Sequence, residues 1–243
     1  MERQTLVGVL AAIGGVMLVS GSAAGSTTSR IDSGVKFTVG VVAGEATLRA
    51  EGKGVTLSKR LTADRVHVRI DVPGDVFEVD AQANGTARLT RNGKRLDLQM
   101  SAPDAGAKAQ RFAAGSRALA GFEALAASLE ASTAPEAQSV LTSFALIHAV
   151  RGSVAPVRSL AQTVKQTHAV NARWAAWGGE QRPQVCWVEY GISMNQALND
   201  LNSCYLNYGW IPGMAGVCAF EWSVRAELSW FWLLSCSGGI PLI

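Results

Sequence analysis

Residues 185–236, VCWVEYGISMNQALNDLNSCYLNYGWIPGMAGVCAFEWSVRAELSWFWLLSC, hold all four cysteines, all three tyrosines and five of the seven tryptophans of a 243-residue chain. Cys186, Cys204, Cys218 and Cys236 are separated by 18, 14 and 18 positions. An interval of 18 returns a residue to the same helix face, at ~100° per residue, and, being even, to the same strand face. Neighbouring residues decide between the two. In the first arm Trp187, Tyr190, Met194, Leu198, Leu201, Tyr205 and Tyr208 step by three or four, the spacing of a helical stripe. Gly191 weakens that helix, which is expected to be firm only from about Ser193. Gly209-Trp210-Ile211-Pro212-Gly213 reads as a turn. The second arm carries both periods. Every even position from Cys218 to Cys236 is apolar, as in a strand, while Phe220, Val224, Leu228 and Phe231 fit a helix. A strand of that length would far exceed the usual ~3–10 residues. Nothing interrupts it, and Glu221 with Arg225 makes a favourable i,i+4 pair. Helix is the reading adopted.

Two helical arms constrain the disulfides. Bridged Cα atoms lie within ~7 Å, whereas 18 residues of helix span ~27 Å. Cys186 therefore does not pair with Cys204, nor Cys218 with Cys236. The crossed arrangement, Cys186–Cys218 with Cys204–Cys236, joins ends that an antiparallel hairpin keeps apart. The nested arrangement, Cys204–Cys218 with Cys186–Cys236, suits two equal arms and is expected.

The N-terminus gives the compartment. Arg3, the apolar run Leu6–Val19 and the small residues Ser22 and Ala24 have the anatomy of a signal peptide over residues 1–24. The run is shorter than the ~20 apolar residues of a membrane span, and a retained N-terminal membrane anchor is the alternative. An even cysteine count in an exported chain favours disulfides over metal binding or catalysis. The protein is expected to be secreted, or to reside in the periplasm or cell envelope. Its net charge is +3 with 17% charged residues. From Pro183 onward Arg225 stands alone against Glu189, Asp200, Glu221 and Glu227. No basic stripe is present, which argues against nucleic acid and against a cationic membrane peptide.

Between these ends the period changes once. Val35, Phe37, Val39 and Val41 alternate with polar or small residues, and Val66, Val68, Ile70 and Val72 alternate with Arg65, His67, Arg69 and Asp71. That pattern means one face on a core and one in water. Pro73-Gly74 is a turn, and Asn92-Gly93 between alternating segments is a strong hairpin signal. Residues 35–100 read as an antiparallel sheet of five or six strands. After Ser101-Ala102-Pro103-Asp104 the period becomes helical. One Ala-rich helix carries Phe112, Leu119, Phe122, Ala126 and Leu129. A second begins at Thr133-Ala134-Pro135-Glu136, a capping box with Pro in the first turn, and stops at Gly152. A third carries Val157, Leu160, Val164 and His168. The fold class is α+β. A signal peptide (1–24) and a linker (25–34) precede an α+β domain (35–175: sheet 35–100, helices 105–171). A linker (176–184) then leads to the disulfide-stapled, mainly helical Cys/Trp-rich module (185–243).

Chemistry is sparse. His67, His148 and His168 show no metal-ligand spacing, and no HExxH, CxxC, GxSxG or phosphate-binding loop is present. No catalytic residue, metal or cofactor is assigned. His67 with Asp64 or Asp71 reads as a solvated strand face. The tryptophans are the remaining signal. Either they fill the core of the stapled module and its seam with the α+β unit, or some are exposed, and then Trp210, Trp222, Trp230, Phe231 and Trp232 are the residues from which a binding or membrane surface would be built. The expected function is a secreted, non-catalytic protein whose C-terminal module binds a protein, glycan or membrane surface. A carrier followed by a stapled hydrophobic hairpin, separable near Gly178-Gly179, resembles in layout the secreted peptide-toxin precursors of the halocin and sporulation-delaying types. That resemblance implies a bacteriocin-like peptide released from its precursor. A secreted hydrolase whose site only the fold assembles is the alternative, and a structural envelope protein is a third.

Overall fold

A computed structural model describes residues 26–42, 44–132, 134–157, 159, 161, 181–211 and 213–237. The expected signal segment, Thr133, His168, Gly178-Gly179 and the side chain of Trp187 lie outside the described set. Eight strands follow in order: β1 (Ser26–Asp32), β2 (Val35–Val42), β3 (Glu45–Gly52), β4 (Val55–Leu61), β5 (Arg65–Val72), β6 (Asp75–Gln82), β7 (Thr86–Arg91) and β8 (Lys94–Gln99). Each pairs antiparallel with the next, giving one meander with β1 and β8 at its edges. The alternation seen in the sequence holds: Val35, Phe37 and Val39 on β2, Leu57 and Leu61 on β4, and Val66, Val68 and Ile70 on β5 are buried on one face. Tight turns set the register. Asn92 and Gly93 both have positive φ, 48° and 81°, the backbone of the hairpin turn that matches strand twist.

Two boundaries differ from expectation. Residues 25–34 are not a linker, because Ser26–Asp32 forms β1, in register with β2 from Ser26↔Val41 to Asp32↔Val35. A polar edge strand lacks the one-sided alternation that betrays a covered strand, and backbone pairing builds it. The sheet therefore has eight strands rather than five or six. At the other linker, 176–184, helix already begins at Gln181.

Five helices complete the described fold: α1 (Ala105–Ala113), α2 (Arg117–Leu129), α3 (Pro135–Val150), α4 (Gln181–Tyr208) and α5 (Met214–Ser237). The single Ala-rich helix expected over 105–129 is two. Gly115 turns the chain at φ 68°, and the Ser116 hydroxyl accepts the Leu119 N–H at 3.3 Å to start α2. Asp75, at the head of β6, fixes this corner. It accepts from the Ser116 hydroxyl at 2.8 Å, the Ala118 N–H at 3.0 Å and the Asn92 amide at 2.8 Å. At the start of α3 Ser132 supplies two acceptors. Its hydroxyl accepts the Ala134 N–H (3.1 Å) and its carbonyl accepts the Gln138 amide (2.7 Å). At the far end Gly152 N–H reaches Ala149 O and Ser153 N–H reaches His148 O, with Gly152 at φ 72°. That is the paired-bond stop for which Gly is favoured. Of the third expected helix, 154–157 is described as a helical turn with Val157 buried.

Helices α1, α2 and α5 lie on the apolar face of the sheet, and α3 runs among them. Fourteen of the sixteen residues of α3 are buried, the polar Glu136, Gln138, Ser139, Thr142 and Ser143 among them. One continuous core joins the sheet, α1–α3 and both arms of the hairpin.

Candidate functional site

The hairpin is built by α4 and α5, each helical throughout the described span. Gly191 lies inside α4 rather than before it, because the arm is held along its length by the facing helix. Bridges Cys186–Cys236 and Cys204–Cys218 close the two ends, each with Cα atoms 5.8 Å apart. The pairing is nested and internal to the hairpin. Disulfides persist in oxidising compartments, so the two bridges point to an extracellular or periplasmic location. Among the described residues no helix is long and apolar enough to cross a membrane.

The α4 stripe is buried at Cys186, Tyr190, Met194, Leu198 and Leu201 and emerges into solvent at Tyr208. On α5 the helical period wins over the alternating one. Ser223, Glu227 and Ser229, polar positions that a strand would send outward, are buried, while Glu221 and Arg225 face water. Glu227 is inside because a cation meets it. Strand β4 places Val55, Leu57, Lys59 and Leu61 on the core face, and Lys59 Nζ donates to Glu227 Oε2 at 2.5 Å with neither side chain exposed. The same ammonium donates to the Ser139 carbonyl at 2.7 Å and lies 5.3 Å from the centre of the Trp230 ring. The Ser143 hydroxyl donates to Glu227 Oε1 at 2.8 Å. Burial pushes the Lys59 ammonium below its usual range, against the opposing pull of Glu227. Burial, then the Glu227 carboxylate, pushes the Tyr190 phenol up. Sheet, α3 and hairpin thus share one polar knot inside an apolar core. Sequence reasoning missed Lys59, yet a signal existed: in Val55-Thr-Leu-Ser-Lys59-Arg-Leu61 the lysine occupies an apolar-face position, and a buried lysine requires a partner.

The five residues expected to build a surface divide. Trp222 and Trp230 are buried, so they belong to the core and not to a binding face. The reason is that α5 packs against α4, α3 and the sheet at once, so side chains on several of its faces are covered. Phe231 is half-buried and Trp232 is 37% exposed. Only Trp210 stands well out, at 78%, with Leu206 at 82% and Tyr208 at 40% beside it. These three sit where α4 ends and the chain turns. The Trp210 indole N–H is satisfied within the turn by the Asn207 carbonyl at 3.0 Å.

A second polar constellation lies on the outer face of the sheet. Cross-strand register lines up Arg60, His67, Asp80 and Arg88 across β4–β7. With Arg65 and Glu78 they border a depression of about 580 Å3. The Arg65 guanidinium grips both oxygens of Asp80, and His67 Nδ1 is 4.0 Å from Asp80 Oδ2. Arg60 is 3.2 Å from Glu45, and Arg88 donates to Asp97 at 2.8 Å. Charges here are mutually paired, as on a solvated sheet face. His148, by contrast, is partly buried with its ring 4.3 Å from Phe144, and burial followed by the Arg151 charge lowers its pKa. Among the described residues no group of three or more His, Cys, Asp or Glu is arranged to hold a metal ion.

Comparison of the chain with known protein families, curated proteins and solved structures returns no match.

Proposed function

We propose that the protein is a secreted, non-catalytic binding protein in which the α+β unit is the scaffold and the stapled α4–α5 hairpin is the binding module. One observation carries this reading. The hairpin presents Leu206, Tyr208 and Trp210 to solvent together at its tip, apart from the single exposed side chains Ile192 and Trp232 on its arms, while Tyr190, Met194, Leu198, Phe220, Trp222 and Trp230 anchor it in the core. Exposed aromatic and aliphatic side chains grouped in one place mark interaction surfaces. The Cys204–Cys218 bridge next to that tip holds its two ends together, which reduces the entropy lost on binding. Exchanging the tip for polar residues (Leu206→Ser with Trp210→Ser) should abolish association with native membranes or cell surfaces. Retained association would refute the reading.

The released-peptide form of this proposal is supported by the bridges. Both lie within residues 186–236, so a cut on the N-terminal side of the hairpin leaves it covalently closed. Mass spectrometry of the culture supernatant tests it. A fragment starting near Glu180 supports release, and an intact chain from about Gly25 removes release while leaving the binding module.

A hydrolase is the second reading, favoured by the depression on the outer sheet face. There His67, with Asp80 Oδ2 4.0 Å from its Nδ1, would act as general base on water. Ester or glycoside hydrolysis that disappears in His67→Gln would establish it.

A further inference from the structure

We propose that the hairpin tip inserts into the interfacial region of an uncharged lipid bilayer; this rests on the hairpin being the binding module and names its partner. The chain from Leu201 to Phe220 contains no Asp, Glu, Lys or Arg. Within that charge-free stretch stand three of the seven large apolar side chains exposed among the described residues: Leu206, Tyr208 and Trp210. Leu206 and Trp210 are four positions apart, and the Gly209 N–H to Tyr205 carbonyl bond continues the helical path between them, so they lie about one turn apart on α4 and its extension. The chemistry fits lipid better than protein. A protein partner is met by an apolar centre ringed with charged and polar groups, but here the charges flanking the stretch are few: Asp200 pairs with Arg225, Glu221 sits in the field of both, and Asp104, next to the Pro103 that borders the turn, pairs with Lys108. Entry of Leu206, Tyr208 and Trp210 into the acyl boundary buries no charge of the stretch 201–220 and, with the indole N–H held by Asn207 O, strands no indole donor. Tyr and Trp favour this boundary, with an apolar body and a polar end. The absence of Lys and Arg removes any dependence on anionic headgroups. Since none of the described helices is long and apolar enough to cross a bilayer, insertion is shallow and lateral.

Flotation of the full, oxidised chain with vesicles tests this. Wild type is expected to float with phosphatidylcholine vesicles, at low and high salt alike, and no more strongly when phosphatidylglycerol is added. Leu206→Ser with Trp210→Ser should weaken partitioning by about tenfold or more. Ile31→Ser, which removes an equally exposed side chain from β1, should change nothing. Unaltered thermal unfolding of the double variant shows that the fold is kept. Wild type that stays with the soluble fraction, a double variant that floats like wild type, or flotation that requires phosphatidylglycerol each overturn the inference. Native membrane vesicles separate the two levels. If wild type ignores phosphatidylcholine but binds native membranes through the tip, and protease treatment of those membranes abolishes binding, the lipid inference falls and the binding module stands. If wild type and the double variant bind native membranes equally, both fall.

Discussion

Lys59 on β4 and Glu227 on α5 meet at 2.5 Å across the interface between sheet and hairpin, and neither side chain touches solvent. They are 168 positions apart in sequence. No other described ion pair has both side chains fully enclosed. The pair fixes the rotation of α5 on the sheet, because a half-turn of the helix would bury Arg225 in place of Glu227.

Removing one partner leaves a buried charge alone. Glu227→Ala and Lys59→Ala are each expected to lower stability by about 3–5 kcal/mol, whereas Lys59→Met with Glu227→Leu should recover most of that loss. Denaturant unfolding of the oxidised protein reads the difference. Equal losses in the single and double variants would show that the pair itself, rather than the orphaned charge, holds the interface.

Asp75 makes stability acid-sensitive. Burial raises its pKa, but the Ala118 N–H, Ser116 hydroxyl, Asn92 amide and Arg91 guanidinium outweigh it and hold the carboxyl well below the usual range. The unfolded chain therefore takes up this proton at a higher pH than the folded one, and the stabilisation is lost as pH falls below about 4. Asp75→Ala is expected to cost about 2–3 kcal/mol at neutral pH and to flatten the acid limb of a stability profile. An unchanged limb would contradict the assignment.

His148 acts in a higher window. Its lowered pKa means that the folded state resists the proton that the unfolded state accepts, so stability present above about pH 6.5 declines as pH falls through that value. An NMR titration should put the His148 midpoint below that of histidine in an unstructured peptide, and His148→Phe should remove this part of the pH dependence.

The bridges differ in reach. Peptide mapping without reduction should return Cys186 joined to Cys236 and Cys204 joined to Cys218. In the chain-entropy picture the outer bridge, with a separation of 50, contributes about 4 kcal/mol and the inner one, with a separation of 14, about 3 kcal/mol. Thermal unfolding of the two paired Cys→Ser variants should rank them in that order. The inner pair should matter more than the outer for the tip, since it alone borders residues 206–211.

Local chemistry made the architecture legible from sequence. Period-two alternation and Asn92-Gly93 write the meander into residues 35–100, and the 18-14-18 cysteine spacing with helical aromatic steps writes the hairpin into 186–236. Both signals come from interactions between near neighbours, which a linear pattern records. What covers each surface is not local. Ser26–Asp32 looks like a linker because an edge strand needs only a backbone partner, and Trp222 and Trp230 look like a platform because their spacing is silent about α3 and the sheet. Glu227 reads as a polar outward position until Lys59 is brought against it from the other end of the chain. The sequence by itself determined the elements, the turns and the geometry that a disulfide can span. The tertiary structure alone decided which aromatic side chains are core and which remain free, since burial depends on contacts between residues far apart in the chain.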